Sequence, residues 1–358
     1  MFYNFIFPAL NFISGINILR YITFRTMCAL LTSLLISFFL YPRFIRKFNF
    51  VQPIRNDGPP SHLETKQGTP TMGGAIIVAS SIISSILWGD ITNKYMILLL
   101  LLTFSYAFLG FIDDFLKITH KNSRGISGKR KFMYQLVVAF IFSYLVERLR
   151  APNIAGHLTF PFFKNFALVN TPFLLIFTTF VIVGSSNAVN LTDGLDGLAT
   201  FPSMMTTTCL GIITYLAGHT LFANYLHIIH IPYSGEICIF CSALIGSCLG
   251  FLWYNAPPAQ IFMGDTGSLA IGGALGGISV IVKHEFVLAI IGGLFVMEAM
   301  SVMMQVVYFR LTGKRIFLMA PIHHHFEKKG WNESTVVIRF WIISLVFALI
   351  GLATLKIR

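Results

Sequence analysis

Ten apolar segments able to span a bilayer dominate this 358-residue chain, near 21–41, 72–88, 95–112, 132–149, 171–189, 198–217, 237–254, 267–282, 286–309 and 336–355. A helical crossing needs about 20 such residues, because every backbone polar group must find its partner inside the segment. The chain is 55% hydrophobic and only 11% charged, where soluble domains carry roughly 25% charged residues. The expected fold class is an all-α polytopic membrane protein of about ten transmembrane helices, forming a single integral membrane domain over 1–358. A disordered chain, a secreted disulfide scaffold and a soluble nucleic-acid binder are excluded. The first segment reads as a span, since no basic stretch or A-x-A site brackets it as a signal peptide. The segment at 267–282 is short, and Gly272, Gly273, Gly276 and Gly277 predict close helix packing there.

Ten spans put both termini on one side and the loops 42–71, 113–131, 190–197, 255–266 and 310–335 on the other. Seventeen of the 26 Lys and Arg residues fall in or beside those loops. The positive-inside rule makes that side cytoplasmic and the termini periplasmic, as in a bacterial inner membrane. The formal net charge of +12 is therefore mostly topological, and it calls for no nucleic-acid partner. Membrane lipid is the expected neighbour of those basic loops.

The five cysteines all lie in expected spans, so Cys238-x-x-Cys241 reads as small apolar filler rather than a redox or zinc motif. His227 and His230 have helical metal-ligand spacing but sit on the outer side, remote from the acids.

The informative residues are five aspartates where spans meet cytoplasmic loops: Asp113 and Asp114, Asp193 and Asp196, and Asp265. Carboxylates at a membrane boundary are costly unless paired or metal-bound. An all-oxygen cluster suits a hard cation, most naturally Mg²⁺, which shares phosphate oxygens. A single Asp before Gly reads better as a helix cap. An adjacent pair is harder to explain that way, because like charges repel without a cation.

Three basic or polar motifs accompany the acids. Lys117 follows Asp114 closely, and Ser127-Gly-Lys129-Arg-Lys131 comes next, without Walker A spacing. Pro321-Ile-His323-His324-His325-Phe-Glu327 reads as a phosphate-binding or proton-handling run, with a zinc site as the other reading. Lys66-Gln-Gly-Thr69-Pro-Thr71-Met-Gly-Gly74 offers glycines for close backbone approach and hydroxyls for an anion, and also reads as a turn before a helix.

In this order the motifs resemble the phospho-N-acetylmuramoyl-pentapeptide transferases, of the polyprenyl-phosphate N-acetylhexosamine-1-phosphate transferase superfamily. The resemblance adds Asn187-Ala-Val-Asn190-Leu-Thr-Asp193-Gly-Leu-Asp196-Gly, Tyr254-Asn255-Ala and Phe262-Met-Gly-Asp265-Thr-Gly-Ser, and covers nearly the whole chain. The aspartate motifs mark the superfamily, while the Lys66 and triple-His motifs favour the muramoyl members over those using N-acetylglucosamine.

The resemblance implies transfer of phospho-MurNAc-pentapeptide from its UDP carrier to undecaprenyl phosphate, yielding lipid I and UMP in peptidoglycan synthesis. It implies Mg²⁺ as cofactor and a homodimer. It makes Asp265 the surest metal ligand, with Asp113 and Asp114 beside it, and adds His323 to the catalytic set. It assigns Lys66, Thr71, Asn187, Asn190, Asp193, Gly194, Leu195, Asp196, Asn255, Phe262 and Gln305 to the nucleoside and sugar region. His324 would face phosphate or sugar, and Lys117, Lys121 and Lys129 the anionic groups. Asp113 could attack the β-phosphate in a double displacement, or orient the lipid phosphate in a single one. Direct attack by the lipid phosphate is preferred, since that phosphate is already largely dianionic near neutral pH.

Glu298, seven residues before Gln305 on one helical face, is expected to be either functional or buried against a packed partner. A transporter would place its ionisable residues at mid-membrane, where this chain has only Glu298. A non-catalytic scaffold would need no positioned aspartates.

Overall fold

The computed structural model describes residues 1–10, 14–47, 68–120, 125–152, 154–160 and 167–356. Lys66 and Lys121 lie outside the described residues. The protein is mostly helical. Short helical turns over Phe2–Ile6, Phe7–Leu10 and Ser14–Arg20 lead into α1 (Ile22–Lys47), α2 (Gly74–Trp88), α3 (Lys94–Thr119) and α4 (Gly128–Arg148). Next come α5 (Thr171–Thr192), α6 (Thr200–Gly218), α7 (Thr220–Leu226), α8 (Ile237–Asn255) and α9 (Gly264–Val282). The chain closes with α10 (Glu285–Ile291), α11 (Gly293–Thr312), α12 (Ile322–Lys328) and α13 (Glu333–Ala353).

Each expected apolar segment falls on helix, but fewer qualify as spans. Among the described residues seven helical stretches are long and apolar enough to cross a membrane, or eight if α6 and α7, bent by 106°, count as one. The α2 helix has 15 residues, short for a crossing. The α4 helix carries Lys129, Arg130 and Lys131 in its first turn and Glu147 and Arg148 in its last. The expected single span at 286–309 is two helices, broken at Gly292. The Gly292–Gly293 pair has no side chain to hold the turn and low helix propensity, the usual cause of such a break. The all-α expectation also needs one correction. His157–Thr159 and Ala167–Val169 pair antiparallel as a small two-stranded sheet between α4 and α5.

The bundle is organised around α9. Every residue from Thr266 to Val282 is buried, and α9 packs chiefly against α3 and α5. Its glycines explain how three helices come so close. A Cβ at Gly272 would sit 2.5 Å from the Ser185 carbonyl oxygen and one at Gly276 2.7 Å from the Ile182 Cα, both on α5. Gly273 and Gly277 face α3 instead, where a Cβ would meet the Tyr106 ring at 2.9 Å and Leu102 at 2.5 Å. Helical i,i+4 pairing thus gives α9 two smooth faces. The predicted close packing is present. The same apolar core continues to α8, which packs on α1, α2 and α6. Together these contacts bring the N-terminus of α9 beside the end of α3, the start of α4 and the end of α5.

Candidate active site

The four helix ends meet around Asp265, in the first turn of α9. Gly110 lets α3 touch that turn, since a Cβ there would fall 2.2 Å from the Asp265 carbonyl oxygen. Asp113 and Asp114 of α3 are 2% and 1% exposed. One carboxylate oxygen from each of Asp113, Asp114 and Asp265 lies within 4.8 Å of the others. The adjacent pair and the distant aspartate therefore form one cluster, as the sequence led us to expect.

The two neighbours of the pair do different work. Asp114 accepts from the backbone N–H of Asp265 (3.1 Å) and Thr266 (2.9 Å) and from the Thr266 hydroxyl (2.7 Å). Met263, at the N-cap of α9, offers no capping oxygen, so Asp114 supplies from α3 what a local Ser or Asp normally would. The capping reading of the aspartates holds for this residue, across 151 positions of chain. Asp113 accepts from the Ile126 N–H at 2.7 Å, and its other oxygen pairs with Lys117, one turn further along α3, at 2.6 Å.

Two ammonium groups converge on the same carboxylates. Lys117 lies 2.9 Å and Lys131 2.6 Å from Asp265 Oδ2, and Lys131 is 3.7 Å from Asp113. The other Asp265 oxygen accepts from Asn190 Nδ2 at 2.8 Å, and that amide also reaches Ser268 Oγ at 2.8 Å. Three carboxylates thus face two ammoniums, a surplus of negative charge in a largely buried place. The donor set is all oxygen, as a hard divalent cation requires. The Thr71 hydroxyl beside it is buried with no protein partner, and a Cβ on Gly264 would lie 3.2 Å from it. Asp113, Asp114 and Asp265 fit Mg²⁺ as ligands, with Lys117 and Lys131 free to turn to phosphate when a cation takes up the negative charge.

Both Lys129 and Lys131 belong to the basic motif read from the sequence, but the resemblance assigns the anionic groups to Lys129 and not to Lys131. The α4 helix turns Lys129 to solvent and Lys131 inward, on the stripe of Gln135, Ala139, Phe142 and Val146. The apolar positions Ala139, Phe142 and Val146, read at helical spacing, carried the signal. Gln135 then meets Asn187, whose amide donates to its Oε1 at 2.9 Å.

Asp193 and Asp196 are not part of the three-aspartate group, and the other expected residues lie mostly on the turns and loops after α5, α8 and α11. Asp193 caps the end of α5, with its N–H on the Val189 carbonyl. Asp196 accepts from the Ala259 N–H at 2.9 Å, and its own N–H donates to Glu333 at 2.9 Å. Asn255 accepts from the Gly197 N–H at 3.0 Å and donates to the Ile261 carbonyl at 2.9 Å. Both brace the 193–199 turn against the loop after α8. Leu195 is buried in an apolar group with Leu198, Leu294, Val336, Val337 and Phe340. The backbone of Phe262 pairs with Pro70 and Gly73 (2.8 and 2.9 Å), which holds Thr71 against the cluster. Gln305 accepts from the Ile316 and Phe317 N–H groups and closes the loop after α11. His324 pairs with Glu327 at 2.6 Å. His323 is fully buried, with Nδ1 3.1 Å from Glu298 Oε2, so Glu298 is buried against a partner in the expected histidine run.

Residues 96–283 match the Glycosyl transferase family 4 model, and residues 66–78 match Phospho-N-acetylmuramoyl-pentapeptide-transferase signature 1. Proteins named phospho-N-acetylmuramoyl-pentapeptide-transferase from Rickettsia prowazekii, Pelagibacter ubique and Thermodesulfovibrio yellowstonii are 54%, 52% and 49% identical to this chain, over the full length of both partners. On these matches the chain belongs to the phospho-N-acetylmuramoyl-pentapeptide-transferase family, within glycosyl transferase family 4.

Proposed function

We propose that this chain transfers phospho-MurNAc-pentapeptide from UDP-MurNAc-pentapeptide to undecaprenyl phosphate, giving lipid I and UMP, as a single ten-span domain with its acid cluster at the cytoplasmic boundary and both termini periplasmic. The observation that carries this reading is the junction of Asp113, Asp114 and Asp265 with Lys117 and Lys131 at the ends of membrane helices. A site there meets a cytosolic nucleotide and a lipid phosphate without moving either through the bilayer. The basic residues on that side support the orientation.

In the reaction, an oxygen of the lipid phosphate attacks the β-phosphorus of the donor. The bond from that phosphorus to the bridging oxygen breaks, and UMP leaves with the bond's electrons. Bound at the three aspartates, Mg²⁺ supplies charge neutralisation for the diphosphate. Lys117 and Lys131 bring positive charge to the oxygens where negative charge grows. Asp113 orients the lipid phosphate, or accepts its last proton when it arrives as a monoanion. Holding two mutually repelling anions in line accounts for much of the rate. Asn190 keeps Asp265 aimed, and Asn187, the 193–196 turn, Asn255, Phe262 and Gln305 border the nucleoside and sugar region.

The test is purified protein with Mg²⁺, undecaprenyl phosphate and each UDP-sugar in turn, reading UMP release. Release with UDP-MurNAc-pentapeptide is expected. Release with UDP-N-acetylglucosamine alone would transfer the chain to the sister activity, and no release with either would sink the reading.

A further inference from the structure

Glu298 is fully buried in α11, among apolar side chains, where an unpartnered carboxylate would be very costly. The partner it has is His323 Nδ1 at 3.1 Å. A carboxylate can only accept, so Nδ1 carries the proton and the opposite nitrogen is defined. The ring is held in place on two more sides. The His324 ring lies against it with centroids 4.2 Å apart. A Cβ on Gly194 would come within 2.4 Å of His323 Nε2, so only glycine lets that ring edge reach the turn after α5. Nε2 itself is buried and has no protein hydrogen-bond partner. Asn190, which grips Asp265, is four residues before Gly194. That stretch spans at most about 14 Å, so the turn that Nε2 abuts adjoins the acid cluster.

We infer that Glu298 is a positioning residue: it holds His323 as the Nδ1–H tautomer, so that Nε2 presents a lone pair to a hydroxyl of the nucleotide-linked donor at the 193–196 turn. The inference rests on the function proposed above for the site. A hydroxyl suits this place better than a phosphate oxygen. Glu298 is the charged group hydrogen-bonded to the ring, the neighbouring His324 pairs with Glu327, and the turn donates the Asp196 N–H to Glu333. A bare acceptor nitrogen selects an O–H donor, since an ionised phosphate oxygen has no proton to give it.

The experiment has two arms. In the first, the protein with ¹⁵N-labelled histidine is observed at about pH 8 without ligand, and the His323 resonances are assigned by their loss in His323→Gln. Protonated Nδ1 with bare Nε2 is expected; the opposite tautomer overturns the inference. This arm needs neither turnover nor a folded Glu298 variant, so its failure is separate from failure of the proposed activity, which wild-type UMP release reports. In the second, Glu298→Gln should raise KM for UDP-MurNAc-pentapeptide about tenfold or more while KM for undecaprenyl phosphate stays put, the scale typical of lost orienting partners. Added to His323→Ala, the same change should cost nothing further. An unchanged donor KM, or an equal loss in both backgrounds, overturns it.

Discussion

The two ends of α9 bury charge in opposite ways. At its start, three carboxylates share two ammoniums, and the side chains of Asp265 and Lys131 each keep 16% exposure. At its end, about 27 Å away by helical rise, Glu147 and Glu285 are balanced by Arg150 and Lys283. There Arg150 pairs with Glu147 at 3.0 Å and donates to the Val280 carbonyl at 2.5 Å. Lys283 donates to the His157 carbonyl at 2.5 Å, and Thr159 to the Lys283 carbonyl at 2.8 Å. Burial, and then the charge of Arg150, bring the Lys283 ammonium down to about 8. One end balances its charges and ties Arg150, Glu147 and Lys283 to backbone, and the Lys283 contacts fasten the two-stranded sheet to the end of α9. The other leaves negative charge in surplus, held by flexible lysines, which is a place for something to bind.

The sharpest way to break this contrast is to neutralise the surplus. Asp265→Asn should lower turnover by about 10³-fold or more, the scale seen when a central electrostatic group is removed, with little change in melting temperature. Full activity in that variant would end the assignment of the cluster as the working site. Mg²⁺ should raise the melting temperature of wild type by binding the folded state and leave Asp265→Asn unmoved; equal shifts in both would place the cation elsewhere. Asp114→Asn should combine an activity loss with a lower melting temperature. The amide keeps one acceptor oxygen but turns an NH2 toward the remaining donors of α9 and weakens hydrogen bonds to a formerly charged acceptor, together worth about 2 kcal/mol or more.

That double role of Asp114 shows where sequence reading stops. The apolar segments were legible because a bilayer imposes their length and composition. The glycines of α9 were legible because small-xxx-small spacing has one common use. The break at Gly292 lies inside continuous hydropathy, and only the glycine pair hinted at it. The sheet at 157–169 was missed because three-residue strands carry almost no periodic signal. Within the site, the adjacency of Asp113 and Asp114 was visible, and their division of labour was not. Which one caps α9 depends on how α3 crosses it, a tertiary fact. Glu298 stood out as an acid in an apolar run, while its histidine was 25 residues away on another helix.

The lysines give a smaller effect that sharpens the comparison. Lys131→Ala should cost about 10- to 100-fold in kcat, because it removes one of two positive charges beside the reacting phosphates. Lys129→Ala, on the solvent side of α4, should stay within about twofold, as exposed charges usually do. Equal losses would mean that the basic loop acts through its overall field and that the short Lys131–Asp265 contact is incidental.

The smallest effect on activity should come from the balanced end. Arg150→Met leaves Glu147 buried without its ion-pair partner, and breaking such a pair typically costs about 3–5 kcal/mol. Its melting temperature should fall clearly, while kcat per folded molecule holds, since α9 carries no residue of this cluster toward Asp265. Pairing the change with Glu147→Leu removes both charges at once. Because desolvating two ions roughly offsets their attraction, the double variant should melt closer to wild type than either single one. Glu147 also accepts from the Gly156 N–H, so the recovery should be incomplete by about the cost of one buried donor left without an acceptor, 1–3 kcal/mol. A double variant less stable than both singles would mean that the hydrogen bonds to backbone, and not the balance of charge, hold this end together. The two ends of α9 would then differ in what their charges touch more than in how they sum.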